Sequence, residues 1–188
     1  MTGDLDSHDD VQRDSHRDLD GRLAQGWGGT APDGVHVNVL TARRGSPTAA
    51  SITAAFTSPS PGFTPILASL GPDQASYETL NPPTVILNKT EPAGDLGVTL
   101  VAGAAQVGIS QAVLDVVADG LLAADQESVV LVSLWIDPAA HGEGEVRSNA
   151  RTATRRALVE AVLGRPAAEL EDLVQRRETV THPFYGGT

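Results

Sequence analysis

No cysteine occurs in this 188-residue sequence, which excludes a disulfide framework, a thiolate nucleophile and a metal site built on sulfur. Aromatic residues make up only 4%, so valine, leucine, isoleucine and alanine must fill the interior. Positive charge is scarce beside negative. The net charge of −11 argues against nucleic acid and anionic membrane as main partners, because phosphates are repelled. Lysine is scarcer still, with Lys89 the one example in a chain that otherwise carries its positive charge on arginine. The N-terminus has acids where a signal peptide needs a basic region and an apolar run. No bilayer-length apolar stretch is expected, since the best run, 129–136, is strand-sized. Also missing are a phosphate-binding Gly-rich loop ending in Gly-Lys-Ser/Thr, a Gly-x-Ser-x-Gly elbow, a His-Glu-x-x-His pair and an obvious metal cluster. These absences predict a soluble, cytoplasmic protein.

What is present suits one domain. The hydrophobic fraction of 40% is normal for a globular fold. Residues 1–22 are rich in Asp, Arg, Ser and His and read as a disordered acidic tail; residues 23–188 form the domain. From Val35 onward, valines alternate with His36, Asn38 and Leu40, the period-two pattern of a strand with one buried face. Ser46-Pro47 opens a helix to about Phe56 as cap and first turn. Strand-sized apolar runs follow at 65–70 and 83–88. A helical pattern spans 95–119, with Gly103 and Gly108 marking a break or a close packing contact. Residues 128–136 are β-branched and nearly continuous, as at a sheet centre. A last long helix covers about 145–163 and a short one 167–176. Strands interleaved with helices predict an α/β or α+β domain.

Three residues carry the candidate chemistry. His36 lies mid-strand between valines, and an imidazole can give or take a proton near neutral pH; the alternative is a histidine at the polar edge of a sheet. Lys89 emerges at the end of an apolar strand, a usual place for ligand contacts. A unique lysine there points to a compact point charge, against chance in an arginine-biased chain. Gln106 sits among small residues that permit close backbone approach to a ligand, or that simply form a helix packing seam. His141 reads as loop and His182 as a chain-end anchor. His8 and His16 have no regular spacing.

Taken in order, these segments resemble the formaldehyde-activating enzymes. Val35-His36-Val37-Asn38 is similar to that family's His-x-Asp strand, and Gly62-Phe63-Thr64-Pro65-Ile66-Leu67 to its Gly-[His/Phe]-Thr-x-Leu-Leu segment. Asn88-Lys89 stands where the family has Lys-Val-Thr, and Gly103-Ala104-Ala105-Gln106 where it has Gly-Pro-Ala-Gln. Trp135-Ile136-Asp137-Pro138 parallels Phe-Ile-His-Pro, and Thr181-His182-Pro183-Phe184 recurs near the C-terminus.

The resemblance implies a ribosomal protein S5 domain 2-like two-layer sandwich, assembled as a homopentamer with sites between subunits. It implies condensation of formaldehyde with tetrahydromethanopterin to the methylene derivative and water, the pterin being a co-substrate and no cofactor tightly bound. His36 is the implied acid, with Asn38, Leu67, Lys89, Glu91 and Gln106 the implied substrate contacts. Asn38 replaces the family's aspartate and carries no charge for a charge-assisted bond to a pterin edge. Glu91 replaces a threonine, and Asp137 a histidine. Two alternatives follow. The same fold could act on another carbonyl-derived or heterocyclic metabolite, with Lys89 as a Schiff-base former, or it could bind a pterin without turnover.

Overall fold

The computed structural model describes residues 18–58, 60, 64–89 and 91–182. Residues 1–17 of the expected acidic tail, the Gly62-Phe63 motif start and the Pro183-Phe184 motif end lie outside them. The strands are β1 (Arg22–Gly28), β2 (Val35–Arg43), β3 (Pro65–Leu67), β4 (Ser69–Leu70), β5 (Glu78–Thr79), β6 (Thr84–Asn88) and β7 (Ser128–Ile136). The helices are α1 (Pro47–Thr57), α2 (Gly94–Ala118), α3 (Glu143–Leu163) and α4 (Ala167–Gln175). Five strands form one sheet in the order β1-β2-β7-β6-β3, while β4 and β5 pair separately. The expected α+β class is the one observed.

The sheet is built around its most β-branched strand. β7 lies at the centre, antiparallel to β2 and parallel to β6. A parallel neighbour requires a crossover, and α2 supplies it between β6 and β7. On the inner face Val35, Val37, Val39, Val130, Val132, Leu134 and Ile86 are buried against α2 and α3. Each such valine or leucine contributes roughly 1.5–3 kcal/mol when removed from water. On the outer face α1 covers only one end. Its Ala49 and Ile52 pack on Ala42 and Val85, with Leu40, Val129 and Leu131 alongside. As expected, Ser46 caps α1, its hydroxyl accepting from Ala49 N at 3.0 Å.

Four findings differ from the sequence reading. First, β1 had no apparent strand signal, because its inward positions are Ala24, Gly26 and Gly28. They are small for a reason: a Cβ on Gly26 would collide with the Ala153 carbonyl of α3, and one on Gly28 with the Asn149 carbonyl. Second, residues 19 and 20 make packing and hydrogen-bond contacts with the sheet. Leu19 packs against the core, its carbonyl accepts from the Thr41 hydroxyl at 2.6 Å, and the Asp20 carboxylate accepts from Arg43 N at 2.9 Å. Third, the 65–70 run divides at buried Ala68, whose N–H donates to the Thr84 carbonyl, and Ser69–Leu70 leaves the large sheet to pair with β5.

Fourth, α2 is 25 residues long and by length and composition alone could cross a bilayer, which corrects the expectation that no stretch would. Half of its most apolar stretch is buried in the fold, and Leu100, Val101, Ala105, Ile109, Val113 and Val116 serve the core. The helix does not break at its glycines. It passes through a π-helical segment, Leu100–Ala105, and continues. The two glycines have different roles. A Cβ at Gly108 would strike the Arg147 carbonyl of α3, whereas one at Gly103 meets nothing within 4 Å. Gly108→Ala is therefore expected to cost about 1–3 kcal/mol from overpacking. Gly103→Ala is expected to be neutral or stabilising by up to about 1 kcal/mol. Urea unfolding of the two variants measures the contrast, and equal shifts would contradict the close crossing of α2 on α3.

Candidate active site

The open end of the sheet's outer face is organised by register. Trp27 on β1 lies opposite His36 on β2, which lies opposite Trp135 on β7. Asn88 pairs with Leu134, so Lys89 follows at the level of Trp135. One row across four strands thus reads Trp27, His36, Trp135, Lys89. The indole of Trp27 is 5.9 Å from the imidazole of His36 and 5.7 Å from the Trp135 ring, centroid to centroid. In this aromatic surround the lysine side chain spans β7 and brings its Nζ to 2.9 Å from His36 Nδ1. Lys89 is held at its root by its N–H, which donates to the Leu134 carbonyl at 2.7 Å.

This contact fixes the protonation pattern. A lysine ammonium has donors and no acceptor, so Nδ1 accepts and the ring proton sits on Nε2. Nε2–H then donates to Gln25 Oε1 at 2.8 Å. Burial, and then the Lys89 charge, push the His36 imidazole below its usual range. Burial likewise lowers the Lys89 ammonium. Burial is the cause common to both, and for His36 the neighbouring Lys89 charge adds to it. The Lys89 charge thus favours the neutral form of the ring beside it.

The other predicted residues are distributed unevenly. Asn38 is on the same face in the next row, paired with Gln25 and Ser133 and exposed. Leu67 is also on this face, since it pairs with Val85, but that row lies at the α1 end. Glu91 is exposed, two residues beyond Lys89. Gln106 belongs to α2, which packs on the inner face, and its amide donates to the Ser69 carbonyl at 3.2 Å. Within one chain Gln106 is therefore not brought to the His36–Lys89 pair. Asp137 caps its own turn, accepting from Ala139 N at 2.9 Å. His141 is in the loop before α3, where its N–H donates to Asp33, and His182 is exposed.

Gln25 and Trp27 were not identified from sequence, because the strand that carries them was not. The available signal was Leu23, Gln25 and Trp27 alternating with Ala24, Gly26 and Gly28, a period of two with the small residues inside. Because the Lys89 charge helps depress His36, Lys89→Met is expected to raise the imidazole's titration midpoint. NMR titration of the His36 ring checks this, and an unchanged or lower midpoint would contradict the coupling.

Residues 27–185 match the family model described as formaldehyde-activating enzyme (Fae). The chain is 30% identical over 158 residues to the 5,6,7,8-tetrahydromethanopterin hydro-lyase of Methanosarcina barkeri (strain Fusaro / DSM 804), covering 83% of this chain and 85% of that protein. It is 27% identical over 167 residues to the bifunctional enzyme Fae/Hps of Archaeoglobus fulgidus, covering 88% of this chain and 41% of that protein. The bifunctional enzyme Fae/Hps of Methanothrix thermoacetophila is 27% identical over 161 residues, covering 84% and 39%. The chain thus spans about two fifths of the bifunctional relatives and most of the hydro-lyase. With its His36 strand, Lys89 and Trp135 segments all inside the matched region, the chain belongs to the formaldehyde-activating enzyme family.

Proposed function

We propose that this enzyme condenses formaldehyde with a reduced pterin of the tetrahydromethanopterin type, giving the methylene derivative and water. The observation that carries the reading is the 2.9 Å contact between His36 and Lys89 on an open sheet face in a member of this family. Loss of water from a carbinolamine requires a proton delivered to the departing hydroxyl near neutral pH, and the pair holds one. The substrate hydroxyl takes the place of Gln25 Oε1 at Nε2. As the C–O bond breaks, Nε2 gives up its proton and Nδ1 is resupplied by the Lys89 ammonium. The ring therefore acts as a relay, and the lowered imidazole suits this role. The second pterin amine then closes on the iminium carbon.

Asn38, Leu67, Lys89, Glu91 and Gln106 belong to this proposal as substrate contacts. Asn38 and Leu67 share the face of His36. Gln106 does not, and its role requires the neighbouring copy of a cytoplasmic homopentamer. An exposed outer face carrying half-exposed Trp27 and strongly exposed Leu23 is consistent with a site completed by such a neighbour. The pterin is a co-substrate here, with no tightly bound cofactor in the reaction.

His36→Ala is expected to remove the general-acid part of the acceleration, about 10²–10⁴-fold, without loss of fold. Stopped-flow absorbance of the condensation with tetrahydromethanopterin, set against the spontaneous rate, measures it. An unchanged rate in a folded variant would remove His36 from the mechanism.

A further inference from the structure

Thiolates and unprotonated primary amines are the side chains that add most readily to aldehydes. This chain has no cysteine and a single lysine, and its other side-chain cations are arginines, which stay protonated. The one aldehyde-reactive side chain of these two kinds is therefore Lys89. It sits on the row of the candidate site, its Nζ 2.9 Å from an imidazole nitrogen able to take its proton. On a solvated surface arginine would carry the charge equally well, and the sequence uses arginine everywhere else.

We propose that Lys89 is a catalytic nucleophile that captures formaldehyde as an iminium, with His36 as its proton partner, before the carbon passes to the pterin. The inference rests on the proposed condensation and adds a covalent step to it. Lys89 gives a proton to His36 Nδ1, which leaves a free amine and an imidazolium. The Nζ lone pair forms a bond to the formaldehyde carbon, and the carbonyl π pair moves to oxygen. That oxygen is protonated by the imidazolium, while the surplus proton on Nζ returns to the ring. A neutral carbinolamine on Lys89 results. The imidazolium then protonates its hydroxyl, the C–O bond breaks, water leaves, and the iminium and neutral imidazole remain. A pterin amine adds to the iminium carbon, and a proton passes from that nitrogen to Nζ. Lys89 departs as an amine, leaving the carbon as an iminium on the pterin for the second amine to close. The proton released at closure restores the pair. Burial, which lowers the Lys89 ammonium, favours the free-base form that the first bond needs.

The test is reductive trapping without pterin. The full-length protein is mixed with limiting [¹³C]formaldehyde and cyanoborohydride at pH 7, and peptide mapping compares Lys89 with the chain's α-amine as internal reference. An ordinary lysine holds about 400-fold less free base than an α-amine at that pH, so it would lag well behind. The expected result is methylation of Lys89 ahead of the α-amine, slowed by about 10²-fold in His36→Gln with α-amine labelling unchanged. Labelling of the α-amine with Lys89 spared, or equal Lys89 labelling in His36→Gln, would overturn the inference. Lys89→Arg keeps the charge but cannot form an iminium, so it is expected to lose the accelerated condensation; retained acceleration would also overturn the inference. The two readings fail separately. Acceleration with tetrahydromethanopterin but no Lys89 adduct removes the covalent step and leaves the condensation, whereas a Lys89 adduct without any acceleration supports the capture step and removes the pterin reaction.

Discussion

Two basic side chains placed 2.9 Å apart cannot both carry a proton without repulsion, which partial burial of the site strengthens. The His36–Lys89 pair therefore settles on one proton, and the chemistry attributed to this face follows from that. Lys89 must stay an ammonium long enough to supply a proton and become a free amine readily enough to react. His36 must accept at Nδ1 and donate at Nε2. Gln25 stabilises that tautomer by accepting from Nε2–H at 2.8 Å. Burial brings the Lys89 ammonium down toward the imidazole's range, while burial and the Lys89 charge lower His36 and so favour the neutral ring.

The fold positions the pair by register. Lys89 and His36 come from strands separated by β7, and only a sheet of fixed alignment puts a long side chain from one within hydrogen-bonding distance of a ring on the other. The alignment is secured on the opposite face. There the valines of β2 and β7 are buried against α2 and α3, so a one-residue slip would exchange the buried valines for His36 and Asn38. α3 lies so close to β1 that Gly26 and Gly28 have no room for a side chain. β1 in turn carries Gln25 and Trp27 to the ring. The candidate site thus depends on packing it never touches.

Much of this was legible in the sequence where burial leaves a pattern. The valine alternation around His36, the continuous β7 run and the Ser46-Pro47 helix start each reflect a single local cause, and the observed elements begin and end near the expected positions. β1 was not legible, because its buried side consists of residues with almost no side chain, and hydrophobic periodicity registers only bulk. The partners of His36 were hidden for the same reason. The 65–70 run looked like one strand because a change of sheet at Ala68 alters pairing and leaves hydrophobicity untouched. α2 looked breakable at Gly103 because glycine content does not distinguish a gap from a crossing, and here Gly108 is the crossing. The sequence pattern singled out Lys89 and Gln106, but only the coordinates show that the first meets His36 within the chain and the second lies on the far layer.

The chemistry of the pair depends most directly on where its proton resides. Nitrogen-15 NMR of the His36 ring at neutral pH reports it, since a bare and a protonated ring nitrogen resonate far apart. A neutral ring with Nε2 protonated and Nδ1 bare is the predicted spectrum. A ring protonated on both nitrogens, or one carrying its only proton on Nδ1, would contradict the account.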